Sequence, residues 1–134
     1  MRFNKYGLLE PGEYPLTFSQ LRSSILVRGE GLPEIPWDTF WRRRLVDHLE
    51  VLCRQLWICG VKEIYIDGSF CSDKYQPNDI DGYFVPPDPK AIFDGSLVAR
   101  LNELDPHQCW GWDRYRMDAF GNYQLEMWHL YRVE

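Results

Sequence analysis

The hydrophobic period of the chain changes at Gly60, and this change strongly constrains the fold. Over residues 37–59, apolar residues recur at steps of three and four, which predicts an amphipathic helix. Asp38 is the predicted N-cap, and Gly60 stands where a left-handed residue commonly ends a helix. Residues 61–67 then form a short β-rich run. A long helix followed closely by a strand predicts a sheet covered by helices.

Further periodic segments follow this first strand. Residues 79–85 predict a second strand, and residues 88–104 predict a helix opened by an Asp-Pro pair. The C-terminal part predicts two strands, 113–120 and 123–131, joined by a tight Gly-Asn turn at 121–122. This order predicts an α+β fold, with a mixed β-sheet flanked by helices.

Residues 1–36 are rich in proline and glycine, which break periodic structure into short pieces. One short helix is predicted around residues 17–26, with Thr17 or Ser19 as its cap. We expect this extension to wrap the core of a single domain that spans residues 1–134, because that length suits one domain.

Composition excludes several classes of protein. No apolar run approaches the roughly 18–20 residues that cross a bilayer, so no membrane partner is expected. The first residues lack the apolar stretch of a secretory signal, which predicts a cytoplasmic protein. The net charge of −5 argues against bulk DNA binding. The four cysteines form no CxxC pair, and we expect reduced thiols that pack as small apolar groups.

Two other groups of residues have both a functional and a structural interpretation. Arg42, Arg43 and Arg44 could contact phosphate, but we interpret this run as a solvated helix face. Trp110 and Trp112 could stack a base, whereas packing under the sheet or against a partner is the favoured interpretation.

The residues that indicate chemistry lie where the first strand ends and the second begins. Gly68 and Ser69 form a corner that lets exposed amides and a hydroxyl approach a phosphate. Asp79 and Asp81 alternate along the second strand, so they share one face with Cα atoms ~6.5 Å apart. Asp67, just before the corner, is interpreted as a strand-end acid rather than a helper ligand.

Two carboxylates this close favour a cation between them, and Mg²⁺ binds carboxylates together with substrate phosphates. Two such ions, with Mn²⁺ as an alternative, could hold the attacking and leaving oxygens of a phosphoryl displacement. A third carboxylate usually completes a two-metal site. Asp118 is the preferred candidate and Glu126 the other one. Asp79, Asp81 and Asp118 are therefore the predicted catalytic residues and metal ligands.

Taken in order, these motifs resemble those of the minimal nucleotidyltransferases of the DNA polymerase β superfamily. Gly68-Ser69, Asp79-Ile80-Asp81 and Asp118 take the places of the superfamily's Gly-Ser corner, Asp-x-Asp pair and later Asp. Small bacterial and phage proteins of this type similarly contain Gly-Ser-Phe and Pro-Asn-Asp-Ile-Asp. The resemblance covers about residues 64–120.

The resemblance implies an enzyme that transfers a nucleoside monophosphate from a triphosphate such as ATP to a hydroxyl on a protein or RNA. Gly68, Ser69 and Lys74 would bind the nucleotide, with Mg²⁺ as cofactor. It also implies a toxin–antitoxin or phage-defence setting with a cognate partner protein. The acidic net charge favours a protein or small-molecule acceptor.

Two residues depart from the superfamily pattern. Many members have Arg or Lys just after Gly-Ser, where this chain has Phe70, and a bulky apolar residue where it has Gly82. The alternative function is therefore a catalytically silent binding module of the same fold, an antitoxin-like regulator that acts through a protein partner. Its surface would be an exposed aromatic patch drawn from Trp37, Trp110, Trp112 or Trp128.

Overall fold

Helices and strands follow one another in the order that the sequence predicts. The computed structural model describes residues 1–88, 90, 94–104, 112–117 and 123–127, the last two ranges as backbone. The elements are α1 (Phe18–Ser23), α2 (Ile25–Arg28), α3 (Thr39–Ile58), β1 (Ile64–Asp67), a 3₁₀ turn (Gly68–Cys71), β2 (Ile80–Phe84), α4 (Ser96–Leu104), β3 (Trp112–Met117) and β4 (Tyr123–Met127). They form one small domain, and the predicted α+β class is confirmed.

Helix α3 begins and ends where the sequence predicts. The Asp38 side chain accepts a hydrogen bond from the Trp41 amide at 2.9 Å, which caps the first turn. Gly60 has φ 90°, and its amide donates to the Trp57 carbonyl at 2.9 Å. A glycine in this conformation ends a helix without the steric penalty that a β-carbon would add.

The short helix predicted over residues 17–26 is divided into α1 and α2. Thr17 caps α1 through a capping box, in which its hydroxyl accepts from the Gln20 amide and the Gln20 side chain accepts from the Thr17 amide. Ser24 has extended backbone, with ψ 169°, and its hydroxyl caps α2 by accepting from the Leu26 amide. Because the backbone of Ser24 is extended, it cannot continue the helix, and α1 ends at Ser23.

The four strands are arranged in the order β1-β2-β4-β3, and every neighbouring pair of described strands is antiparallel. The prediction of a mixed sheet is wrong for these strands. A parallel pair needs a long crossover, usually a helix. The connection from β1 to β2 instead turns back through the 3₁₀ turn and a loop, so β2 returns beside β1 in the opposite direction.

The core lies between α3 and one face of this sheet. In β2, burial alternates: Ile80, Gly82 and Phe84 are buried, whereas Asp81 and Tyr83 are half-buried. Apolar residues of α2, α3 and α4 pack around the buried face of β2. Because side chains alternate along a strand, Asp81 and Tyr83 lie on the face turned away from this core.

The helix predicted over residues 88–104 is interrupted at Gly95. Lys90 is already helical and its amide donates to the Asp88 side chain at 3.0 Å, whereas α4 begins at Ser96. Gly95 has φ 76°, a left-handed conformation that does not continue a helix, and the Asp94 side chain then accepts from the Ser96 amide at 2.9 Å. Positions 89 and 91–93, and the predicted turn at 121–122, lie outside the described residues.

Two properties of the described residues bear on the remaining sequence predictions. None of their helices combines the length and apolar character needed to span a membrane. Cys53, Cys59 and Cys71 are free thiols, with Cys53 buried in the core, as the sequence predicts. Cys109 lies outside the described residues.

Candidate functional site

Strands β1 and β2 bring two carboxylates together on the face of the sheet opposite the core. Asp67 and Asp81 are direct register partners. Directly opposed residues of an antiparallel pair have Cβ atoms about 4.5–5.5 Å apart and share one face. Asp79 is half-buried and comes just before β2. Strand pairing thus places Asp67 beside Asp81, one of the predicted metal ligands.

The backbone of Gly68 lies directly against the Asp81 carboxylate. Gly68 has φ 78°, and a β-carbon on it would lie 2.9 Å from Cγ of Asp81 and 3.0 Å from its Cβ. Such distances are shorter than normal carbon contacts, so the position requires glycine for both conformation and space. The sharp turn predicted at Gly68 therefore sets where Asp81 lies.

The structure explains why position 82 is a glycine, which the sequence alone did not. A β-carbon at this position would lie 2.6 Å from the carbonyl oxygen of Tyr65, in the backbone of β1. Gly82 thus permits close approach of the two strands that carry Asp67 and Asp81. The departure from the superfamily pattern at this residue is explained by packing within this sheet.

Ser69 and Lys74 lie in the segment that leads from the 3₁₀ turn towards β2. Ser69 is half-buried, and its carbonyl accepts from both the amide and the hydroxyl of Ser72, at 3.2 and 2.6 Å. Lys74 is exposed, and its amide donates to the Ser72 hydroxyl at 3.3 Å. Internal hydrogen bonds therefore shape this segment around Ser72.

A buried arginine holds the same segment from below. Arg42 has no exposed surface, and its guanidinium donates to the carbonyls of Phe70, Ser72 and Lys74 at 2.8, 2.8 and 2.5 Å. It also donates to the Leu26 carbonyl at 2.8 Å. One cation thus joins α3 to the loop that follows the Gly-Ser corner.

The surroundings of Arg42 explain how a charge is accommodated there. Its guanidinium carbon lies 3.9 Å from the ring centre of Trp37, a cation–π contact. Burial lowers the pKa of Arg42 to about 10, so it stays charged at neutral pH. Its Nε is buried and has no hydrogen-bond partner within the described part of the chain. The interpretation of Arg42 as a solvated residue is wrong.

Sequence spacing does contain an indication that Arg42 is buried. Leu45, Val46 and Leu49, at three, four and seven residues beyond Arg42, are all buried on α3. Residues at these steps share one helix face. Position 42 therefore belongs to the apolar stripe, and the run of three arginines obscured this.

Other residues at the start of α3 contact the far end of the loop. The Trp41 indole donates to the Pro77 carbonyl at 2.5 Å, and the Gln76 side chain donates to the Asp38 carboxylate at 3.1 Å. The loop between the Gly-Ser corner and Asp79 is therefore bound to α3 near both its ends.

Two tyrosines lie beside the carboxylates on the same face of the sheet. Tyr65 and Tyr83 are register partners, and their rings stack with centroids 4.9 Å apart and planes 16° from parallel. The pKa of Tyr65 is raised, chiefly by the neighbouring Glu63 carboxylate and further by burial and by Glu13. This face therefore carries an aromatic pair next to an acidic pair.

The thiol and the carboxylate nearest the corner have pKa values above their ordinary ones. Burial raises the pKa of Cys71 to about 12, and the nearby Asp67 and Asp81 add to this effect. Burial also raises the pKa of Asp67, although much of this residue remains open to solvent. A thiol with this pKa stays protonated at neutral pH, and Cys71 packs against the core.

Residues 1–134 match the family described as "Family of unknown function (DUF6932)". The chain belongs to this family. No curated protein and no solved structure shows significant similarity to it.

Of the two candidates for a third carboxylate, the structure describes the position of one. Asp118 lies outside the described residues. Glu126 of β4 is the register partner of Asp81 on the side opposite Asp67. Positions 67, 81 and 126 thus form a row of acidic residues across three strands.

Magnesium suits this site in the chemistry of its donors, because carboxylate oxygens are its usual protein ligands. The residues that the structure describes do not, however, assemble three His, Cys, Asp or Glu side chains in a metal-binding group. A complete ligand set would therefore need side chains of the strands described as backbone, residues beyond the described ranges, or substrate phosphates.

The aromatic patch expected for a binding module is not formed by Trp37. Its ring stacks on Arg42, and its indole donates to the Val27 carbonyl at 2.8 Å. Trp110 and Trp128 lie outside the described residues, and Trp112 is described only as backbone in β3. Gly82, which suggested a silent module, and Trp37, a candidate for the aromatic patch of that module, thus have structural roles.

Proposed function

We propose that this DUF6932 protein is a magnesium-dependent nucleotidyltransferase. The observation that supports it most is the row of acidic positions 67, 81 and 126, beside the left-handed Gly68 of the predicted Gly-Ser corner. Asp79 and Asp81 would hold Mg²⁺, with Asp118 or Glu126 as the third carboxylate. The Gly68-Ser69 corner would receive the phosphates of the nucleotide.

The proposed reaction is an in-line displacement at the α-phosphorus. A hydroxyl oxygen of the acceptor forms a bond to this phosphorus, and the bond to the oxygen bridging the α- and β-phosphates breaks. Pyrophosphate leaves, and a carboxylate of the site accepts the hydroxyl proton. Bound magnesium would supply neutralisation of phosphate charge.

The contribution of the protein would be positioning and electrostatics, because this chemistry needs no covalent intermediate. Gly68 sets the place of Asp81, and Gly82 lets β1 and β2 approach closely. Arg42 holds the loop that connects the corner to Asp79. These contacts would keep the proposed metal ligands and phosphate corner in one arrangement before substrate binds.

The test is transfer of label from nucleotides radioactive at the α-phosphate, in a bacterial extract supplemented with Mg²⁺. Labelled RNA, protein and small molecules are separated after incubation with the wild-type chain, Asp79→Asn or Asp81→Asn. Asp47→Asn is the matched control. It replaces the same carboxylate by the same amide, but at an exposed α3 residue that forms a surface ion pair with Arg22. Asp118→Asn and Glu126→Gln compare the two third-carboxylate candidates.

We expect label in one class of acceptor from the wild type and Asp47→Asn, and none from Asp79→Asn or Asp81→Asn. Circular dichroism establishes that all variants are folded. Full transfer by Asp81→Asn, or no transfer by a folded wild type with any nucleotide, would reject the proposal. The second result would favour the silent binding module. Its partner protein would then be sought by co-purification.

A further inference from the structure

A cavity of about 810 Å³ lies beside the candidate site, between residues 8–18, the N-terminal arm, and residues 62–67 in and before β1. This volume is in the range of small-molecule sites, roughly 300–1,000 Å³. The arm is held at both ends, whereas its middle is exposed. At its start, Leu8 forms a β-bridge with Ser72, and at its end the Thr17 capping box begins α1.

The ionisable groups around this cavity are mainly acidic. Glu10 and Glu13 come from the arm, and Glu63 and Asp67 from the opposite wall. Lys62 supplies the cationic side chain among the described lining residues. Four carboxylates against one cationic side chain disfavour a triphosphate here. The cavity is therefore suited to a ligand other than the nucleotide phosphates.

Aromatic rings accompany these carboxylates. Tyr14 of the arm and the stacked Tyr65 and Tyr83 line the cavity. The Tyr65 hydroxyl donates to Glu63 at 3.4 Å, and the Glu13 carboxylate is near enough to influence the same phenol. Ring faces attract cations through their quadrupole, and neighbouring carboxylates strengthen this attraction.

We propose that this cavity binds a small organic cation. Asp67 lines the cavity and is also the register partner of Asp81, so the cavity meets the candidate site at this residue. If the proposed transferase function is correct, on which this further step rests, the cation carries the hydroxyl that accepts the nucleotide. The acceptor would then be a positively charged small molecule.

Binding is tested on the full chain without nucleotide or Mg²⁺, by ligand-observed NMR titration. Choline, which has a hydroxyl and a fixed positive charge, is compared with 3,3-dimethyl-1-butanol, its uncharged analogue of the same shape. Spermidine serves as a longer cation. We expect both cations to bind, and choline to bind about tenfold more tightly than the neutral alcohol, because the alcohol lacks the cation–π and carboxylate attraction.

Glu13→Gln combined with Glu63→Gln should weaken binding of both cations about tenfold. Glu34→Gln is the matched control, since Glu34 is an exposed acid and does not line this cavity. It should bind as the wild type does. Equal binding of choline and the neutral alcohol, no binding of either cation, or unchanged binding by the double variant would overturn the proposal.

These results separate the cavity from the transfer reaction. Cation binding that depends on Glu13 and Glu63, without label transfer to any acceptor, would support the cation site and reject the transferase. Label on RNA or protein, with no binding of either cation, would support the transferase and reject the cation site.

Discussion

Gly68 and Asp81 are in direct contact, since a β-carbon on Gly68 would lie 2.9 Å from Cγ of Asp81. The two residues belong to different segments, one at the turn after β1 and one within β2. Pairing of Asp67 with Asp81 brings these segments together. The corner proposed for phosphate and a proposed metal ligand are therefore joined by packing as well as by position in the sequence.

Gly68→Ala should lower the free energy of unfolding by about 2–4 kcal/mol, through left-handed strain and collision with Asp81. Gly31→Ala is the matched control, because Gly31 has φ 74° and a β-carbon there would meet nothing within 4 Å. Gly31→Ala should lower the free energy of unfolding only by the backbone strain, about 1–2 kcal/mol. Urea denaturation measures both, and equal losses would contradict the contact between Gly68 and Asp81.

Gly82→Ala should separate β1 from β2, because its β-carbon would lie 2.6 Å from the Tyr65 carbonyl oxygen. We expect a loss of about 1–3 kcal/mol in the free energy of unfolding. Amide hydrogen exchange should show reduced protection in β1 while α3 keeps its protection. A variant as stable as the wild type would mean that the two strands do not approach this closely.

Arg42→Lys should be strongly destabilising, because lysine cannot reproduce four hydrogen bonds to carbonyls and the stacking on Trp37. Buried acceptors left without donors predict a loss of about 2–4 kcal/mol. Arg43→Lys makes the same change at the exposed neighbouring position and should alter stability little. Thermal and urea denaturation compare the two, and equal stability would argue against the buried contacts.

His48 should make the protein less stable in mild acid. Burial, and then the nearby Arg44, lower the pKa of His48 below its ordinary 6.5, whereas Asp47 opposes them. The unfolded chain therefore binds a proton first as the pH falls. The stability that neutral His48 contributes is present above about pH 6.5. It is lost as the pH falls through the lower pKa that His48 has in the folded protein.

The free energy of unfolding at pH 7.5 and pH 5.5 tests this expectation. His48→Gln, which does not titrate, should lose less stability between these pH values than the wild type. Carboxylates titrate in both proteins, so the difference between the two losses isolates His48. An identical or larger loss in His48→Gln would contradict the direction of this pKa shift.

Local features of the fold were predictable because neighbouring residues determine them. Asp38 and Gly60 marked the ends of α3 by capping and by a left-handed glycine. Alternation along the second strand predicted a face that carries Asp81, and Asp81 does lie on the face opposite the buried Ile80. The interruption of the 88–104 helix at Gly95 was not predicted, because the left-handed conformation of this residue depends on the path of the chain.

The sequence by itself determined the α+β class and the order of helices and strands. Periodicity and capping act over a few residues, so one chain segment contains enough information. Only the tertiary structure decided the antiparallel strand order, the pairing of Asp67 with Asp81, and the burial of Arg42. These depend on contacts between residues distant in sequence, such as Arg42 and Phe70, whose burial energies and hydrogen bonds exist only after the chain has folded.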